Sequence, residues 1–162
     1  MITSRIISLV SVLALSASAL AASSGESDFI AVISKASQGD AEAQFNLGMQ
    51  YYKGEGVPQS HLGAAKWWRK AAEQGHAEAQ CNLGSLYYNG EGVPQSYTEA
   101  VSWYAKAAEQ ECAEAQYLLG ISYLKGTGVS QDKDEGIVWL QKAASHGNAA
   151  AADCLRELGV EP

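Results

Sequence analysis

From residue 28 onward, apolar and small side chains recur every three or four positions in short blocks, and glycine-bearing polar turns separate the blocks. Phe29, Ile30, Ile33 and Ala36 form one such stripe over Asp28–Gln38. Ala43, Leu47, Gly48 and Tyr51 form the next, over Ala41–Lys53, and Ala64, Trp67, Ala71 and Ala72 a third, over His61–Gln74. Each stripe predicts an amphipathic helix. Asp40 and Glu42 stand at the start of the second stripe, where carboxylates favour the positive end of a helix dipole. The turn Gly54-Glu55-Gly56-Val57-Pro58-Gln59 follows it. Gly54 is placed to end the helix in a left-handed conformation, and Pro58 blocks its continuation. Val57, the one apolar loop residue, is expected to plug the space between the two helices. Ser60 stands where the N-cap of the next helix belongs.

The same pattern returns with a period of 36 residues. Its landmarks are Ala43, Ala79 and Ala115; Gly48, Gly84 and Gly120; and Trp67, Trp103 and Trp139. Residues 40–75 and 76–111 are identical at 23 of 36 positions. A fixed period of this size means stacked supersecondary units, none of which buries its apolar face alone. Three helix–turn–helix units are expected, at 40–75, 76–111 and 112–147. A half unit at 28–39 supplies a second-type helix before them, and residues 148–162 supply a first-type helix after them. Eight helices in an all-α stack follow. Ser96 with Glu99, and Asp132 with Glu135, have capping-box spacing. A mid-helix glycine costs about 1 kcal/mol relative to alanine, so Gly48, Gly84 and Gly120 imply close helix approach. The three repeated tryptophans are expected to fill the gap left there. The third unit drifts: Ser130 stands in place of proline, and Thr127 in place of Glu55 and Glu91.

Composition adds a compartment and removes some partners. Arg5 followed by the apolar stretch Ile6–Leu20 and the small-x-small triplet Ala19-Leu20-Ala21 reads as a secretory signal peptide over residues 1–21, with 22–27 a polar linker. The stretch is too short and too rich in serine and alanine for a membrane anchor. The formal net charge is −7, and removing Arg5 leaves 10 basic against 18 acidic residues, or −8. That balance, with no basic cluster, excludes nucleic acid and anionic membrane as expected partners. No membrane span is expected after signal cleavage, and the mature chain is expected to be a monomer, periplasmic or secreted. Cys81, Cys112 and Cys154 occupy three different repeat positions, aligned with Phe45, Asp40 and Asn82 respectively, so no repeating disulfide framework exists. Whether any two of them pair stays open.

At this point the motif A-E-A-Q-x-x-L-G-x-x-Y-x-x-G-x-G-V-P, followed by A-x-x-W-x-x-K-A-A-E-Q-G, resembles the Sel1-like repeat, a relative of the tetratricopeptide repeat with a longer interhelical loop. The resemblance covers roughly residues 28–158. It implies a right-handed α/α superhelix of antiparallel helix pairs and a non-enzymatic adaptor or scaffold that binds proteins. Exported members imply two roles, in the bacterial envelope or as secreted factors that contact host proteins. A cysteine-rich subset, to which weak penicillin-binding or β-lactamase activity is attributed, carries a disulfide in each repeat. The corresponding positions here include Ala72, Ala108 and Ala144, so that framework is absent.

The residues themselves point away from catalysis. His61, His76 and His146 have no ligand partner three or four positions on, so neither a metal nor another cofactor is expected. His76 and His146 flank repeat junctions and are expected to hydrogen-bond helix ends. The G-E-G-V-P loop lacks the Lys-Ser/Thr of a phosphate loop, and no serine lies in a G-x-S-x-G context. What remains is surface. The positions where copies disagree on one face of the first-type helix give a candidate concave groove for a protein or peptide. These are Phe45, Met49, Tyr52 and Lys53 in the first unit and Cys81, Ser85, Tyr88 and Asn89 in the second. The third unit contributes Tyr117, Ile121, Leu124 and Lys125.

Overall fold

The computed structural model describes residues 29–161, and the expected leader and linker lie outside them. The described residues hold eight helices and no strand. Helix α1 covers residues 29–37. It is followed by α2 (Ala41–Lys53), α3 (His61–Glu73), α4 (Ala77–Asn89), α5 (Tyr97–Ala108), α6 (Ala113–Lys125), α7 (Lys133–Ser145) and α8 (Ala149–Glu157). Each packs chiefly on its neighbours in sequence: α2 with α3, α4 with α5 and α6 with α7 inside repeats, and α3 with α4, α5 with α6 and α7 with α8 between them. The architecture is an all-α helical solenoid.

The caps follow the sequence closely. Gly54, Gly90 and Gly126 end α2, α4 and α6 in the left-handed region, at φ 76°, 74° and 67°. Ser60, Ser96 and Asp132 cap α3, α5 and α7 by accepting the N–H of the third residue on. The capping box is only half made. The backbone N–H of Ser96 and of Asp132 donates instead to Tyr87 O and Tyr123 O, at 2.9 and 3.0 Å, which closes the loop. Glu135, left free, accepts the indole N–H of Trp139 at 2.8 Å.

The glycines do mark close approach, but different residues fill the gap. A Cβ placed on Gly84 would lie 2.7 Å from Tyr104 Cε1, and one on Gly120 would lie 3.0 Å from Leu140 Cγ. Trp68 closes on Gly48 in the same way. Trp68, Tyr104 and Leu140 are buried and share a helix face with Ala64, Ala100 and Gly136, four residues earlier. Trp67, Trp103 and Trp139 sit one position back, about 100° around the helix. They seal the junction with the preceding repeat: Trp67 packs on Ala36, Ala43 and Leu47, and Trp103 on the cluster that joins α3 to α4. Each also carries a lysine ammonium over its ring, Lys70 at 4.2 Å, Lys106 at 4.0 Å and Lys142 at 3.9 Å from the centroid. The loop valine Val93 packs on the cluster that holds Leu83 and Leu86 of α4 and Trp103 of α5, its own two helices, together with Trp68 of α3.

A second row went unread in the sequence. Gln44, Gln80 and Gln116 are buried and donate to Ala36 O, Ala72 O and Ala108 O, at 3.0, 3.0 and 3.1 Å. Each thereby satisfies a carbonyl at the end of the helix before it. Their own carbonyl oxygens accept from Gln74 and Gln110, at 2.7 and 2.8 Å, and His146 Nδ1 takes the same place beside Gln116 at 2.8 Å.

Candidate functional site

Two cavities open along the first-type helices. The first, about 180 Å³, lies between α2 and α4. Met49, Tyr52 and Lys53 form one wall and Asn82, Ser85, Leu86 and Asn89 the other, with Trp68 behind and Glu91 at the loop end. The second, about 140 Å³, lies between α4 and α6 and is lined by Tyr88, Tyr104, Leu118, Ile121, Ser122, Lys125 and Thr127. Every residue of the second is one 36-residue period beyond a residue of the first: Tyr52 to Tyr88, Trp68 to Tyr104, Asn82 to Leu118, Ser85 to Ile121, Leu86 to Ser122, Asn89 to Lys125 and Glu91 to Thr127. The cavities are one subsite repeated with different side chains. The first has an amide and hydroxyl wall. In the second, leucine and isoleucine replace asparagine and serine, and a lysine stands at the rim.

Polar groups in the first subsite are held in place. Tyr52 stacks on His61 and tilts against Trp68, with centroids at 5.1 and 5.3 Å. Asn82 Nδ2 donates to Met49 Sδ at 3.7 Å, and Asn89 Nδ2 to Glu91 Oε1 at 3.1 Å. Ser85 Oγ donates to Cys81 O at 3.2 Å, so in its 3.3 Å contact with Tyr104 the phenol is the donor. Burial holds the Tyr104 phenol up at about 12, and it stays protonated.

Eight of the twelve expected groove residues line these cavities: Met49, Tyr52, Lys53, Ser85, Tyr88, Asn89, Ile121 and Lys125. The other four belong to packing. Phe45 stacks on His76 with centroids 4.6 Å apart, and Cys81 is 5% exposed in the core. Tyr117 and Leu124 pack on the last core cluster, around Leu140 and Leu155. Trp68, Asn82, Leu86, Glu91, Tyr104, Leu118, Ser122 and Thr127 also line the cavities and are not among the expected twelve. Asn82 and Leu118 are one position C-terminal to Cys81 and Tyr117, and the period alone does not say which of two neighbours faces out. Of the two histidines expected to bond helix ends, His76 does so, whereas the His146 ring bonds the Gln116 side chain. His76 Nδ1 accepts the Ala79 N–H at 3.3 Å, which leaves Nε2 to donate to Glu42 at 3.0 Å. Among the described residues no three His, Cys, Asp or Glu side chains lie close enough to hold a metal, and no helix is long and apolar enough to cross a membrane.

The Sel1 repeat family matches at residues 41–76, 77–112 and 113–148, the three helix–turn–helix units just described. The chain belongs to the Sel1 repeat family. Sel1 repeats generally mediate protein–protein interaction. A Sel1 repeat protein from Oxalobacter formigenes is similar to 80% of this chain over 98% of its own length, with 41% identity and a TM-score of 0.75. A protective antigen of uropathogenic Escherichia coli strains is similar over 78% of this chain, with 40% identity and a TM-score of 0.73. This chain spans only 28% of that antigen. Cysteine rich protein B of Helicobacter pylori shares the fold over 79% of this chain and 95% of its own, at 22% identity and a TM-score of 0.64. No curated protein sequence matches significantly.

Proposed function

We propose that this Sel1 repeat protein is an exported, non-enzymatic binding module that holds a segment of a partner protein along its first-type helices. The supporting observation is the residue-for-residue recurrence of the two cavities. Repeated apolar pockets with a polar wall suit anchor side chains of an extended segment, whose backbone the Asn82, Ser85 and Asn89 groups would meet. Peptides selected from a random library on the purified protein test this. Selected peptides are expected to lose at least tenfold in affinity against Tyr52→Ala, Tyr88→Ala or Lys125→Glu, with helix content unchanged. They should bind Lys106→Ala, on the far side of α5, like the parent. Equal binding to all four variants would sink the groove assignment.

Export rests on the leader pattern of residues 1–21, and cell fractionation tests it. A factor that meets a host protein is a second reading, favoured by the 40% identity to a protective antigen. The β-lactam-processing alternative finds no chemical support in the site. Ser85 gives its proton to a backbone carbonyl, and the neighbouring Tyr104 phenol is too weak an acid to serve as a base. A chromogenic β-lactam should turn over no faster than with heat-denatured protein.

A further inference from the structure

Cys81 and Cys112 meet across the junction of the second and third repeats. Cys81 is buried in α4, Cys112 is the half-buried N-cap residue of α6, and both pack in one cluster with Ala107, Ala108 and Ala115. The register explains the meeting. One repeat earlier the same two positions hold Phe45 and His76, whose rings stack. One repeat later they hold Tyr117 and Asn148. Cys154 packs elsewhere, in the cluster around Leu140 and Leu155.

Two local rules are broken at this junction. Asp40, His76 and Asn148 each accept a backbone N–H as N-caps, whereas Cys112 makes no such bond. Gly39, Gly75 and Gly147 precede those caps in the left-handed region, but here the residue is Glu111, at φ 63°. The junction with the weakest local chemistry is the one that carries two facing thiols.

We infer that Cys81 and Cys112 are a redox site that closes into a disulfide tying α4 to the start of α6. The bridge would join successive first-type helices beside the second cavity. Cys112 is the attacking group. Its thiol is pulled down to about 6, chiefly by the Cys81 thiol and further by the N–H dipoles of Ala115 and Glu114 at the start of α6, which favour a thiolate although the thiol closes no cap bond with them, while burial and the Glu78 charge push the other way. The Cys81 thiol is pushed up by Cys112 and by burial, with Glu114 and Glu78 adding to it. With oxidised glutathione as oxidant, Cys112 Sγ attacks one glutathione sulfur. The glutathione S–S bond breaks, and one glutathione leaves as a thiolate that takes up a proton. Cys81 Sγ then attacks Cys112 Sγ, and its proton goes to the second departing glutathione. Two protein thiols lose two electrons, and one oxidised glutathione becomes two thiols.

The test uses the full chain. It is incubated natively with oxidised glutathione, then digested without reduction and examined by mass spectrometry. A linked pair of peptides carrying Cys81 and Cys112 is expected, and thiols titratable after denaturation should fall from three to one. The melting temperature should rise by several degrees and return on addition of dithiothreitol. Cys154→Ser should form the same link. Three remaining thiols, a lasting glutathione adduct on Cys112 without the link, or a cross-link through Cys154 would each overturn the assignment.

Discussion

At the scale of single residues, backbone conformation sets two opposite expectations. Glu111 occupies the left-handed region at φ 63°, where the equivalent positions are glycine. A left-handed L-residue costs about 1–2 kcal/mol, and glycine adds about 0.5–1 kcal/mol of unfolded-state entropy. Strain relief is the larger effect, so Glu111→Gly should stabilise by about 0.5–1 kcal/mol in urea denaturation; a destabilised variant would count against the strain. Gly84 is the reverse case. Alanine there gains about 1 kcal/mol of helix propensity. Its Cβ would lie 2.7 Å from Tyr104 Cε1 and 3.1 Å from the carbonyl oxygen of Ala100. A side chain can swing away, but a helix backbone cannot, and overpacking costs about 1–3 kcal/mol. Gly84→Ala should therefore lower the melting temperature, and an unchanged value would mean that α4 and α5 can part freely.

At the scale of helices, the buried glutamines join one element to the next. Gln80 Nε2 bonds the Ala72 carbonyl near the end of α3, and Gln110 bonds Gln80. Gln80→Leu keeps the volume but leaves that carbonyl with only the Gly75 N–H, at 3.0 Å, at a cost of about 0.5–1.5 kcal/mol for the lost bond. Gln110→Leu, at an exposed position, should cost less by the same denaturation measurement; equal costs would argue against the clasp. The period, the glycine and serine caps and the helix bounds were all legible, because each depends on the residue's own backbone preference. Gln44, Gln80 and Gln116 were not, because a buried glutamine at a helix start looks like any polar surface position until the preceding carbonyl is placed. The tryptophans misled for a related reason. Invariance pointed to Trp67, Trp103 and Trp139, but the residue on the glycine varies from Trp68 to Tyr104 to Leu140, and in the last repeat Leu124 over Gly136 fills the remaining space. Arg156 in α8 stands at the Gly48, Gly84 and Gly120 position, exposed and paired with Asp153. A second-type helix therefore could not seat on α8 as α3, α5 and α7 seat on their partners.

At the scale of the whole stack, variation between copies carried two messages that the sequence alone does not separate. Met49, Ser85 and Ile121, and Lys53, Asn89 and Lys125, vary where they line a surface. Phe45 and Cys81 vary because each meets a different N-cap residue, His76 or Cys112, and Tyr117 because it packs on the cluster around Leu140 and Leu155. The surface message has a spacing. The α2 and α4 side chains meet, as Asn82 and Met49 do, so successive subsites lie roughly 10 Å apart, at the upper end of helix packing distances. Extended chain advances about 3.3 Å per residue, and a polyproline II segment returns to the same face every third residue, after about 9.3 Å. A β-strand returns after about 6.7 or 13.4 Å, which fits less well. Peptides selected on this protein should therefore carry two large side chains three residues apart. The residue over the second subsite should be the more apolar, because Leu118 and Ile121 replace Asn82 and Ser85 there. Asn82→Leu should make the first subsite prefer an apolar anchor as well. Selections that converge on a single anchor, or on a spacing of two or four, would show that the two cavities do not act on one segment.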